Sequence, residues 1–151
     1  MANTQSMCMS FMGELLTATH NFTTGTGDTF KAALYEATAT YNASTTAYST
    51  SGEVTGTNYT PGGVTVTNGT SPASSNTSAT AGVAYWTPSA SITYTNVTLT
   101  TAFDAVLIYN STKSNKAVSV HTFGSQTVTA GTFTLTMPTN NTTSALLRSV
   151  S

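Results

Sequence analysis

The stretch Phe103-Asp104-Ala105-Val106-Leu107-Ile108-Tyr109-Asn110-Ser111-Thr112-Lys113-Ser114-Asn115-Lys116-Ala117-Val118-Ser119-Val120-His121-Thr122-Phe123 decides how this chain folds. Phe103 to Tyr109 is the most apolar run in the sequence, interrupted only by Asp104. A short, nearly continuous run of branched and aromatic residues predicts a strand at the centre of a sheet. Asn110 to Asn115 has the composition of a turn, and Ala117 to Phe123 reads as the returning strand, so the two form a hairpin.

The same pattern extends outward in both directions. Phe30, Ala32 and Leu34 alternate with Lys31, Ala33 and Tyr35, the period-two signal of a strand. Further candidates are Gly63–Thr67, Gly82–Trp86, Ser91–Thr95, and Thr127–Val128 leading into Thr132–Met137, with a tight turn at Ala130-Gly131. Strands at roughly 10-residue spacing without intervening helices predict an all-β fold, an antiparallel jelly-roll-like β-sandwich. Asn68–Ala81, almost wholly small and polar, is expected to be a long exposed loop, and Thr38–Ser51, with Tyr41 and Tyr48, is expected to pack along an edge. No repeat of solenoid type is present.

Composition agrees and sets limits on chemistry. Threonine supplies about a quarter of the residues, whereas Asp, Glu, Lys and Arg together supply 6%. Threonine is stiff at χ1 and suits a half-buried pleated surface, with a hydroxyl that meets water without charge. At 38% the hydrophobic content is below the ~45–50% usual for soluble domains, which predicts a thin core partly completed by neighbouring subunits. The four cations, Lys31, Lys113, Lys116 and Arg148, are scattered, so the sequence offers no basic face for nucleic acid and no polybasic run for a membrane. One cysteine, Cys8, excludes an internal disulfide and a cysteine-based zinc site. The first residues lack the basic and apolar regions of a signal peptide, which predicts synthesis in a cytoplasm.

Catalytic readings find little support. His20 and His121 lie far apart, with no carboxylate beside either in sequence. The plainer reading places His20 at a helix end, favoured there by the helix dipole, and His121 on one face of a strand. Glu14, Asp28, Glu36, Glu53 and Asp104 show no spacing that pairs two of them across a cleft, and Asp28 and Asp104 suit strand starts. Gly25-Thr26-Gly27 follows no strand and carries no lysine, so a phosphate loop is excluded by context. The Asn-x-Ser/Thr triplets at Asn21, Asn42, Asn58 and Asn68 follow from composition and are expected to be unglycosylated. Tyr35, Tyr59, Tyr85, Trp86 and Tyr94 suit either a sugar-binding face or a core. The reading is a non-enzymatic protein that needs no metal and no cofactor.

Residues Ser6 to Phe22 have a helical cast, with Phe11, Met12, Leu15, Leu16 and Thr19 spaced for one face, Ser10 as a cap and Glu14 in the first turns. The glycines at 25 and 27 then read as a hinge. This divides the chain into an arm with its hinge (1–27) and a β-sandwich domain (28–151). An apolar arm needs burial, and Phe11, Met12, Leu15, Leu16 and Phe22 are the candidate docking residues.

Glu14-Leu15-Leu16, Asp28-Thr29-Phe30-Lys31 with Ala33-Leu34-Tyr35, Gly52-Glu53 with Gly62-Gly63, Ile108-Tyr109-Asn110 and Gly131-Thr132-Phe133 follow one another in that order along the chain. In these elements the chain, from about Ser10 to near its C-terminus, resembles the small cement (head-decoration) proteins of tailed bacteriophages. The resemblance implies a jelly-roll-like module on the outer capsid surface, made in the host cytoplasm and carried on the virion. It also implies the major capsid protein as partner, assembly as a homotrimer or as a dimer at two-fold positions, and a mechanical role in clamping the expanded shell. On this reading, removing Met1–Phe22 abolishes shell binding and leaves the β-domain folded. Two alternatives stand beside it: another virion part, such as a head spike, fibre base or tail component, and a carbohydrate-binding module.

Overall fold

The computed structural model describes residues 2–76 and 82–151. Within them the chain forms β1 (Ser6–Met7), α1 (Met9–Leu16), β2 (Phe30–Glu36), β3 (Gly56–Thr57), β4 (Val64–Thr65), β5 (Ala73–Ser75), β6 (Val83–Trp86), β7 (Ile92–Leu99), β8 (Phe103–Asn110), β9 (Lys116–Gln126), β10 (Gly131–Leu135) and β11 (Leu147–Val150). The fold is all-β, and the pairings between strands are antiparallel.

The hairpin of β8 and β9 is its centre. In the five-stranded sheet β1-β9-β8-β2-β4, Leu107 of β8 lies between Ala33 of β2 and Val120 of β9. Every position from Ala105 to Asn110 is buried, so both faces of β8 are covered, which is why its sequence is a run and not an alternation. A second layer, β10-β7-β3, presents Ile92, Tyr94, Val97 and Leu99 to the core. The Tyr94 hydroxyl crosses between layers to donate to the Ala32 carbonyl at 2.7 Å. Strand β7 was expected to end at Thr95 because the alternation breaks there. It continues through a bulge instead: Asn96 takes a left-handed φ of 52° as an extra residue, which returns Val97 to the face that Tyr94 uses.

A third sheet, β11-β6-β5, closes the remaining side. Its Trp86 meets Phe22 edge-on, with ring centroids 4.8 Å apart, and Phe22 stacks on Phe30 at 4.2 Å. The stretch expected as a bare loop from Asn68 thus contains β5, and its part from 77 to 81 lies outside the described residues. The 38–51 segment runs along the start of β9, where Ala47 bridges Lys116 and Tyr48 N–H donates to the Asn115 carbonyl. Thr127–Val128, read as the start of a strand, precedes β10 without joining it.

The largest difference from the sequence reading is at the N-terminus. Ser6 and Met7 pair with Val120 and Ser119, capping the edge of β9, and Cys8 N–H extends the contact to the Val118 carbonyl. Helix α1 therefore begins only after Cys8, which is its cap residue in place of Ser10. It ends by Thr17, and Ala18 turns the chain with φ 52°. Asn3, itself buried, donates to the Asp104 carboxylate at 2.6 Å and to the Glu36 carbonyl, while Tyr41 N–H donates to its side-chain oxygen. The glycines at 25 and 27 lie in a loop closed by Asp28 N–H to the Asn21 carbonyl at 2.7 Å. A methyl group at Gly27 would collide with the Thr23 and Asn21 carbonyls, so glycine is required for that closure.

Residues 2–22 thus supply five buried side chains, Asn3, Cys8, Phe11, His20 and Phe22, and cover a sheet edge. Phe22→Ala is expected to cost about 3–5 kcal/mol, read as a lowered urea midpoint, and a chain beginning at Thr23 is expected to aggregate through β9. An unchanged midpoint in the truncated chain would restore the detachable-arm view.

Candidate docking surface

The exposed large hydrophobic side chains among the described residues are Met9, Met12, Leu15, Leu16 and Val150. Four of the five project from α1, where Met12 is 54%, Leu15 44% and Leu16 90% exposed. Of the residues put forward as an apolar docking face, these three are open to a partner. Phe11 and Phe22 face inward at 2% and 7% exposure and are part of the core. Met9, at 70%, belongs to the surface and was missed because the expected periodicity started at Phe11. Beside α1 lies a cleft of about 150 Å³, bounded by Phe11, Leu15 and Phe22 on one side and by Trp86, Leu147 and Arg148 on the other. Val150, at the end of β11, is 57% exposed.

An eight-residue helix has no stability of its own in water, so something must hold this one. Polar side chains do so. Glu14, on α1, accepts from His20 Nε2 at 2.7 Å with one oxygen and pairs with Lys116, at the start of β9, through the other. Asn110, at the end of β8, accepts the backbone N–H groups of Thr112 and Lys113 on Oδ1, which fixes the orientation of its amide. Its Nδ2 then donates to His20 Nδ1 at 2.9 Å and to Asp28 Oδ2 at 2.8 Å. His20 Nδ1 is consequently an acceptor, and the ring proton sits on Nε2 facing Glu14. Lys113 lies 3.8 Å from the other oxygen of Asp28. His20 is therefore buried against α1 with a carboxylate partner, and does not cap a helix end in isolation.

Burial works against the ionised forms of Glu14 and Asp28, but the hydrogen bonds and charges around them prevail. Lys116 and the hydrogen bond from His20 hold the Glu14 carboxyl below its ordinary value, and Asn21 N–H, Asn110 and Lys113 do the same for Asp28. Cys8 is fully buried at the start of α1, and burial together with the Glu14 charge pushes its thiol up to about 11. His121 is separate from this cluster. Its Nε2 lies 2.9 Å from Ser119 Oγ, and burial lowers its pKa to about 4.

The aromatic set considered for sugar binding is mostly internal. Tyr35, Tyr59, Tyr94 and Trp86 are buried, leaving Tyr85 half-buried at the cleft. Among the described residues no group of three or more His, Cys, Asp or Glu side chains is placed to hold a metal ion, and no helix is long and apolar enough to cross a membrane. The chain matches no known protein family, no curated protein and no solved structure.

Glu14→Gln removes the charge that binds Lys116 and is expected to loosen α1, exposing Cys8. A thiol reagent should then label Cys8 at least about tenfold faster than in the parent, the equivalent of ~1.4 kcal/mol in an opening equilibrium. An unchanged rate would show that the apolar contacts hold the helix alone. Acid should also destabilise the fold in two stages. As pH falls from 6.5 towards 4, the unfolded chain takes up a proton at residue 121 that the folded chain refuses, so stability is lost across that window. Below it, the stabilisation carried by Glu14 and Asp28 is lost as each is protonated. His121→Asn is expected to flatten the first stage, worth about 2 kcal/mol, and leave the second intact in urea titrations at stepped pH.

Proposed function

We propose that this protein is a phage head-decoration (cement) protein that binds the outer capsid surface between capsomers and stabilises the expanded shell. The observation that carries the reading is the concentration of exposed apolar side chains on one short helix, clamped to a β-sandwich that is otherwise neutral and rich in threonine. A patch of this kind on a soluble surface marks an interaction site. The resemblance in the sequence supplies the partner, the major capsid protein, and the expectation of a homotrimer or of a dimer at two-fold positions. Function here is burial: α1 brings Met9, Met12, Leu15 and Leu16 out of water against the shell, and joining several copies turns modest contacts into firm attachment. A rigid clamp suits this role, because each side chain ordered before docking is one less to order during it. The burial of Tyr35, Tyr59, Tyr94 and Trp86 favours this reading over a carbohydrate-binding module.

Quantitative mass spectrometry of purified virions is expected to find close to one copy of the protein per major capsid subunit. A few copies per particle would instead indicate a spike, vertex or tail component, and absence would overturn the structural role. Met12→Asp and Leu16→Asp, at exposed positions, are each expected to leave the melting temperature unchanged. Each should weaken shell binding roughly ten- to a hundredfold, the value of one buried apolar side chain, in co-sedimentation with expanded shells.

A further inference from the structure

The cleft beside α1 is walled almost entirely by carbon, yet one cation stands at it. Arg148, on β11, lines the cleft with Leu147, and its buried Nε has no hydrogen-bond partner. The side chain forms no ion pair with any described carboxylate. The five acids are engaged elsewhere. Glu14 and Asp28 belong to the cluster that clamps α1, and Glu53 accepts from Tyr48, Tyr59 and Gly62 N–H. Glu36 accepts from Thr101, and Asp104 from Asn3. The shielded Nε–H carries a desolvation penalty, and because the guanidinium has no ion pair within the described residues, one external carboxylate on its remaining N–H groups would offset that cost. The cleft itself, at about 150 Å³, is the size that holds one ring or one branched aliphatic group.

We propose that this cleft receives a single bulky apolar side chain of the partner polypeptide, from a segment in which an adjacent Asp or Glu pairs with Arg148. The proposal rests on the docking reading above and deepens it by stating what the partner must present. Leu15 joins the two surfaces, since it lines the cleft and is 44% exposed on the α1 face. The α1 face supplies neutral area. The cleft supplies selection, because an apolar residue beside a carboxylate satisfies both halves of the site, whereas a neutral segment leaves the guanidinium unpaired.

Trp86 is the chain's one tryptophan and forms part of the cleft wall, so its emission reports occupancy. The probes are N-acetyl-Phe-Asp-amide, N-acetyl-Phe-Asn-amide and N-acetyl-Ala-Asp-amide, titrated into the full chain to their solubility limits. Phe-Asp is expected to shift the emission with a several-fold preference over Phe-Asn, as one ion pair provides, and Ala-Asp to have no effect. The preference should vanish in Arg148→Gln, and Ala84→Leu, which fills the cleft from an exposed strand position, should abolish the response. Equal binding of Phe-Asp and Phe-Asn, or no shift with either, would overturn the proposal. Shell co-sedimentation separates the two levels. Loss of binding in Arg148→Gln and Ala84→Leu, with melting temperatures unchanged, supports the cleft. Wild-type binding in both, with loss in Leu16→Asp, sinks the cleft and leaves the α1 reading standing. Wild-type binding in all three variants overturns both.

Discussion

Charge is scarce in this molecule, and the orientation of one amide decides how much of it is used. Asn110 sits where β8 turns towards β9, and its carbonyl oxygen is committed to the turn's own N–H groups. Its two amide hydrogens are therefore directed at His20 and Asp28, and through His20 the constraint reaches Glu14 on α1. With only four cations and five acids in the chain, two of each converge here. Isolated surface pairs are worth little. A network gathered around a buried imidazole, with each donor facing one acceptor, contributes more because its members hold one another in place. The helix that carries the exposed apolar residues takes its position from this network and from Phe11 beneath it, whose ring meets His20 edge-on at 5.0 Å.

Glu53 shows the same economy without any cation. Its carboxylate is buried and accepts from two phenols and the backbone N–H of Gly62 at 2.7–2.8 Å. Tyr109 donates to the Gly62 carbonyl, and its ring stacks on Tyr48 at 4.7 Å. Neutral donors thus satisfy a buried charge and at the same time fasten the 45–63 segment over the central sheet. Gly63 completes the arrangement: with φ 69° its Cα lies so close to the Ala32 carbonyl that a side chain would collide with it. The sequence elements Gly52-Glu53 and Gly62-Gly63, ten residues apart, are two sides of one hydrogen-bonded joint.

What the sequence makes legible follows from how each element is stabilised. Strands β8, β9 and β2 are readable because their own side chains are covered, on both faces in β8, and the apolar run records that directly. Strands β1, β5 and β11 run for two to four residues at sheet edges, stabilised by the neighbour they pair with, and too short to carry a period. Of the residues proposed for docking, Met12, Leu15 and Leu16 are exposed on α1. Phe11 and Phe22 were placed with them because apolar spacing shows that a residue seeks burial, not whether the chain or a partner provides it. His20 could not be paired in advance. Glu14 is six residues away, a spacing outside the helical period, and becomes a partner only because Ala18 turns the chain back; Asn110 is ninety residues distant.

These features fix what kind of surface the helix presents. Since Glu14 spends its charge inward, α1 offers its neighbours methionine and leucine without a competing carboxylate. Methionine adapts its shape to irregular neighbours, which suits the docking role proposed for this face. The proposed attachment through such a face would gain little from long-range charge and would therefore resist salt, apart from the contribution proposed for Arg148. Cost is saved in a second way. The helix is ordered before any partner arrives, so the entropy of fixing its backbone falls on folding and not on binding. Softening the cluster around Asn110 would leave every apolar side chain in place and still weaken association, because the helix would have to be reordered at each encounter.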